Sequence, residues 1–393
     1  MSKLLIIGAG LLQMPAIQKA KEMGLEVAVV DINPSAPGIP FADHFFKIST
    51  VDEKEIVKTA KTFKPDGVMT LATDMPMRSV AAVAIFLDLP GISPEVALKA
   101  TDKVAMIECF KEKYIPSPWF YVVPSRDEFK NVLKSISPPF ILKPNDSSGS
   151  RGVVLIDSLD KAIDGFNYSK SISKSGIVLV EEYMIGPEVS VEIITIRGKS
   201  TVLAVTDKLT SGAPNFVEMG HSQPSELAVE SINKIKEIAI KAVQALGIDN
   251  SPSHVEIIVT ENGPKLVELG ARLGGDCITT HLVPLSTGID MLKASIKLAM
   301  GQMPDIKTRL FKGAAIRYIS SKEGVLKDIV GIENVMKVKG VRHLEIVKQK
   351  GETIHAVHGS GDRIGYVICQ SETSSSAINL CEEAIRMLDV III

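Results

Sequence analysis

Residues 138–156 read PPFILKPNDSSGSRGVVLI. Lys143 closes one apolar run, a second begins at Val153, and between them lies a loop of small polar residues with two glycines. Short apolar runs bounded by turn residues are strands, and a Ser/Gly loop held between two strands exposes consecutive backbone N–H groups that can wrap a polyphosphate. The loop is not a Walker A sequence, because the lysine precedes the glycines and no GxxxxGK followed by Ser or Thr is present. Lys143 therefore enters from the strand. A solvated hairpin turn would explain residues 147–152 alone, but not the acidic hairpin further along the chain.

In that hairpin, residues 254–276 read HVEIIVTENGPKLVELGARLGGD. A three-residue loop of Glu261, Asn262 and a left-handed Gly263 would set Thr260 against Pro264 and bring Glu256 directly opposite Glu268. Two ionised carboxylates on one face repel unless a cation sits between them, and oxygen ligands of this kind suit Mg²⁺. Arg272 follows four residues after Glu268, in a glycine-rich turn.

Upstream, KLLIIGAG, QMPAIQKAKEMG and LEVAVVDIN form a strand, a helix ended by Gly24 and a second strand tipped by Asp31. DGVMTLATD and the apolar run at 80–89 continue the alternation, so an α/β domain with a doubly wound parallel sheet is expected. IIGAGLLQ is a poor dinucleotide fingerprint, since Gln13 stands where the third glycine packs helix on sheet. A tight turn with Asp31 as a soluble tip is the plainer reading. The amides of Gly8 to Leu11, Gly10 and Leu11 among them, offer an alternative use in holding an anionic substrate group.

Composition narrows the class. The 393 residues carry a formal charge of −2, which gives no basic footprint for nucleic acid or an anionic membrane. Small diffusing substrates are expected instead. Cys109, Cys277, Cys369 and Cys381 form no CxxC pair, and no apolar run reaches the ~18 residues of a membrane span. A reducing cytoplasm is the expected compartment.

Taken together, Lys103 after the α/β domain, FILKPNDSSGSRGV, VLVEEYMIGPEVSVE, HVEIIV and LVELGARLGGD resemble the ATP-grasp superfamily, which includes biotin carboxylase, carbamoyl phosphate synthetase, phosphoribosylamine:glycine ligase and several amino-acid ligases. The resemblance implies a preATP-grasp-like domain over residues 1–98 and an α+β ATP-grasp domain over 99–305. The latter divides into a lid-bearing part, 99–184, and a metal-bearing part, 185–305, and a small α+β C-terminal lobe occupies 306–393. It further implies that Lys103 and Lys143 contact ATP phosphates under a lid containing Ser147, Ser148, Gly149, Ser150 and Gly152. Glu181 would accept from the adenine amino group, with Glu182, Tyr183 and Met184 at the hinge, and Glu188 would bind the ribose. Glu256 and Glu268 match the Mg²⁺ ligands, with Mn²⁺ as a substitute, and Arg272 the arginine beside the transferred phosphoryl group. Gly270 departs from the pattern, because many relatives have Asn there.

The implied activity is an ADP-forming ligase that activates a carboxylate as an acyl phosphate and joins it to an amine, working as a homodimer. Alternatives are a bicarbonate-activating carboxylase of biotin carboxylase type, an ATP-grasp kinase or a nucleotide-binding protein. Residues 206–227 read as a long polar connection facing the cleft, from which Lys208, Glu218 and His221 would recognise substrate.

Overall fold

The computed structural model describes residues 1–147 and 149–393. Its first unit is a parallel sheet of β1 (Lys3–Ile7), β2 (Glu26–Asp31), β3 (His44–Lys47) and β4 (Gly67–Met69) in the order β3-β2-β1-β4. Helices α1 (Met14–Glu22), α2 (Glu53–Phe63) and α3 (Met77–Leu87) connect and cover it. Leu4 and Ile6 belong to one buried cluster and Leu5 and Ile7 to another, so β1 is covered on both faces, as continuous apolar strands require.

Two helices follow, α4 (Pro94–Lys99) and α5 (Lys103–Glu112). Asp102 caps α5 by accepting from the amide of Ala105. Next comes an antiparallel sheet of β5 (Phe120–Val123), β6 (Phe140–Pro144), β7 (Val154–Ile156) and β8 (Val178–Glu182), ordered β5-β8-β6-β7. Helices α6 (Arg126–Val132) and α7 (Ala162–Ile172) pack on it around Phe129, Phe140 and Phe166. β6 and β7 are the two strands that hold the serine-glycine loop.

The largest sheet has eight strands. It contains β9 (Glu188–Ile196), β10 (Lys199–Thr210), β11 (Glu218–Gln223), β12 (Ser251–Thr260) and β13 (Gly263–Gly270), with α8 (Val229–Leu246) across it. After α9 (Val283–Thr287) and α10 (Met291–Ala299), β14 (Gly313–Ile319) pairs with β11 and carries the sheet into the C-terminal segment. There β15 (Gly324–Val330), α11 (Ile332–Met336), β16 (Val341–Ile346), β17 (Thr353–Ile354), β18 (Gly365–Ser371), α12 (Ser374–Arg386) and β19 (Asp389–Ile392) complete the chain. β18 and β16 extend the eight-stranded sheet, whereas β17, β15 and β19 form a small sheet of their own.

Two local expectations are corrected. Residues 206–227 are not a long connection, because β10 runs to Thr210 and β11 begins at Glu218, and Lys208 pairs with His221 across them. Lys208 and Glu218 turn into one ionic group with Glu188 and Glu256, and His221 faces Asp276, so the polarity that suggests a loop belongs to paired strands. In the β12–β13 hairpin, Thr260 faces Gly263 rather than Pro264, with Gly263 at φ +104°. A bulge between Glu256 and Ile257 restores the offset, and Glu256 still lies directly opposite Glu268.

Candidate active site

Strand pairing puts the two glutamates on one face, and each is met by a lysine from another strand or helix. Lys103, the first residue of α5, places Nζ 3.0 Å from Glu268 Oε2 and donates to the carbonyl of Ser147 at 2.9 Å. Burial would lower its pKa, but the Glu268 carboxylate outweighs that and raises it. Asn145 ties the loop to α5, its Oδ1 accepting from the Val104 amide and its Nδ2 donating to Asp102. The loop thus begins at the N-terminus of α5, whose first amides are already taken by Asn145 and Asp102. Gly149, Ser150 and Gly152 all take positive φ beyond it; Ser148 lies outside the described residues.

Lys208 sits 2.5 Å from Glu188, 3.2 Å from Glu256 and 3.9 Å from Glu218. It is buried, and its ammonium is a counter-ion shared among three acids. Burial would raise the Glu256 carboxyl, but Lys208 and His254 hold it well below the usual range, whereas burial does raise Glu188. His254 bridges Glu192 and Glu256 at 2.6 and 3.2 Å. Burial opposes its protonation, yet the Glu192 carboxylate brings its pKa up to about 9.

Lys143 is buried in a narrow slot with Met106, Ile107, Phe110, Leu266 and Glu181, its Nζ 2.6 Å from Glu181 Oε2. The other oxygen, Glu181 Oε1, is buried with no hydrogen-bond partner among the described residues. A buried orphan acceptor is satisfied by a ligand that brings an N–H group to it. Lys103 and Met106 line both this slot and an adjoining cleft with Asp74, Thr101, Asp146, Ser147 and Glu268. Slot and cleft therefore run from Glu181 towards the paired glutamates. Beyond the slot, both Glu182 oxygens hold Lys265 of β13, and the Tyr183 ring tilts against Phe216 at 6.4 Å; Met184 follows in the same connection.

Arg272 is nearly buried, and its Nε and Nη2 donate to the two oxygens of Asp74 at 2.8 and 2.9 Å. Burial would lower the guanidinium, but Asp74 reverses the direction. Asp74 is absent from the sequence expectations, since an isolated acid after a strand carries no local signal. Its place explains Gly270: a Cβ there would stand 2.6 Å from Asp74 Oδ1 and 3.1 Å from the Arg272 guanidinium carbon.

The N-terminal turn also differs from expectation. Asp31 is not a soluble tip, because its carboxylate accepts from the amides of Ala9 and Asn33. Gly8 donates to Val30, so two of the four amides from Gly8 to Leu11 are already engaged and only the later part of the turn can serve an anion. Gln13 fills the space against Gly8 and Gly10 and donates to the carbonyl of Leu71. The Gly10 carbonyl accepts from Gln13 and Met14, and Leu11 projects into a cavity of about 560 Å³. That cavity opens beside the Arg272 turn, between Leu11 and Leu12 on one side and Asp276, Glu345 and Tyr366 on the other. His221 is buried close by with Nε2 3.6 Å from Asp276, and Glu218 reaches the same corner through its carbonyl, which accepts from Arg363.

A family model described as an ATP-grasp domain matches residues 136–280, and one described as L-amino acid ligase C-terminal domain 2 matches residues 317–392. The crystal structure of an L-amino acid ligase from Bacillus licheniformis superposes with a TM-score of 0.86 at 22% identity, over 100% of this chain and 99% of that one. A phosphoribosylglycinamide synthetase from Anaerococcus prevotii gives 0.81 at 27% identity, over 100% of both chains. Residues 136–280 thus form an ATP-grasp domain. Alanine–anticapsin ligase of Bacillus subtilis strain 168 is 31% identical over 245 residues, 56% of this chain and 51% of that protein, so the chain spans about half of that relative's length. No helix among the described residues is long and apolar enough to cross a membrane.

Proposed function

We propose that the chain joins two amino acids. The γ-phosphoryl group of ATP moves to the carboxylate oxygen of the first, giving an acyl phosphate and ADP. The amine of the second attacks the acyl carbon, the C–N bond forms, phosphate leaves with the C–O bonding pair, and the ammonium product loses its proton to phosphate or solvent. The observation that carries this reading is the facing pair Glu256 and Glu268, flanked by Lys103 and Arg272, beside a cavity of about 560 Å³.

Within that reading Glu181 takes the adenine amino group, Glu188 the ribose, and Lys103, Lys143 and the loop at 147–152 the phosphates. Arg272 neutralises charge on the phosphoryl group in flight. The donor set fits Mg²⁺, or Mn²⁺ in its place. Two carboxylates are the number Mg²⁺ takes when phosphates and water complete its shell, and no cluster of three or more metal-ligating side chains occurs among the described residues. Bound there, the metal would spread the charge of the transferred group.

The deciding assay is ADP release from a carboxylate library crossed with an amine library. A ligase needs both partners; ADP release with the acid alone and a stable phosphorylated product would make the chain a kinase. The loop supplies a second prediction. Adding a non-hydrolysable ATP analogue with Mg²⁺ is expected to suppress limited proteolysis after Arg151 and slow amide exchange at 149–152, because ordering glycine and serine removes much chain entropy. Identical signals with and without nucleotide would remove the loop from the phosphate site. We also place the enzyme in the cytoplasm, where its four cysteines, all unpaired, stay reduced, and as a homodimer. Light scattering at the mass of one 42.4 kDa chain would exclude the dimer.

A further inference from the structure

The 560 Å³ cavity has an end built by the C-terminal segment, and the charges there do not balance. Two cations line the cavity, Lys19 and Arg363, against three acids, Glu22, Asp276 and Glu345. Lys19 pairs with Glu22 at 2.8 Å, and Arg363 forks onto Asp276 at 2.9 and 3.2 Å. The acid left over is Glu345. Its Oε2 accepts from the Tyr366 hydroxyl and lies 3.3 Å from His343 Nε2. The His343 ring stacks on Tyr366 at 5.5 Å, and His281 stands 5.3 Å from His343.

The Tyr366 hydroxyl brings no charge to Glu345, and neither Lys19 nor Arg363 is paired with it. Burial would raise the Glu345 carboxyl, but Tyr366 and His343 hold it below the usual value, so it is ionised at neutral pH. Burial and the facing His343 lower His281, which stays neutral. The remaining walls are mainly apolar, with Leu11, Leu12, Leu71, Leu292 and Val347 among them. An ionised carboxylate beside aromatic faces in an apolar cavity favours a ligand with an alkyl body and a cationic end.

We propose that this end of the cavity takes the cationic side chain of a basic α-amino acid substrate, with Glu345 pairing the cation beside the stacked His343 and Tyr366 rings. The proposal rests on the amino-acid ligase reading above. It adds the substrate class, read by β16 and β18, two strands of the C-terminal segment.

The test compares L-arginine with L-citrulline, its neutral near-isostere, by calorimetric titration into protein loaded with Mg²⁺ and a non-hydrolysable ATP analogue. The wild-type protein is expected to bind arginine at least about tenfold more tightly. Glu345→Gln is expected to reduce that preference to within about threefold, and Tyr366→Phe to weaken it partially. Equal binding of the two amino acids by the wild type, or an unchanged preference in Glu345→Gln, overturns the proposal. The wild-type ratio decides even where a variant fails to fold. ADP release in parallel separates the two readings. Arginine preference without ADP release for any amine would leave the pocket standing and remove the ligase, whereas ADP release from neutral amino acids without that preference would do the reverse.

Discussion

Glu268→Gln is expected to lower turnover by at least ~100-fold while leaving the folded structure intact, the size of effect seen when a metal-borne electrostatic contribution to the transition state is lost. Glu268 lies on β13 opposite Glu256, and its Oε2 is 3.0 Å from Lys103 Nζ. A glutamine carbonyl still accepts from Lys103, so packing and that contact survive. What disappears is one of the two negative charges that make the face attractive to a divalent cation. Activity should therefore be measured as ADP release across a magnesium titration, with the urea midpoint recorded for each protein. A near-normal rate at saturating magnesium would remove Glu268 from the metal site, and a collapsed urea midpoint would assign the loss to folding.

The parts of this site that the sequence reveals are those written as contiguous stretches. Lys143 followed by the serine-glycine loop, and two glutamates on the strands of one hairpin, depend on local periodicity and turn chemistry. Even there, the facing of Glu256 and Glu268 comes from a tighter turn and a bulge whose offsets cancel, which no spacing argument distinguishes from a longer turn without a bulge.

The remaining partners come from far along the chain. Asp74 and Arg272 are 198 residues apart, Arg363 and Asp276 87, and Glu192 and His254 62. Each is a buried ion pair or charged hydrogen bond that exists only once separate units pack, so neither partner carries a local signature. The same holds for β14, which reads as one strand of a small lobe and in fact extends the eight-stranded sheet by pairing with β11. Strands β10 and β11 are hidden for a different reason. Lys208, Glu218 and His221 place ionisable side chains where a core strand carries apolar ones, and polarity is the signal by which loops are recognised.

Asp74→Asn is expected to be nearly as damaging as loss of the proposed metal ligand Glu268, by a different route. The carboxylate holds the Arg272 guanidinium with two parallel hydrogen bonds, and the pair is mostly buried. An amide of the same shape offers one acceptor and turns its NH₂ towards a guanidinium N–H. Breaking a buried pair in this way costs about 3 kcal/mol of stability, and an arginine freed from its fork loses orientation at the proposed phosphoryl position, for which a turnover loss of ~100-fold is expected. Gly270 makes the argument specific, since Asp74 Oδ1 occupies the space that a side chain there would need. Gly270→Asn with Asp74 intact should therefore displace the carboxylate and reproduce the defect. Adding Asp74→Ala to Gly270→Asn should relieve the clash and raise the urea midpoint above that of Gly270→Asn alone. If Gly270→Asn keeps wild-type turnover and stability while Asp74 remains, the carboxylate does not hold Arg272 in place through that gap.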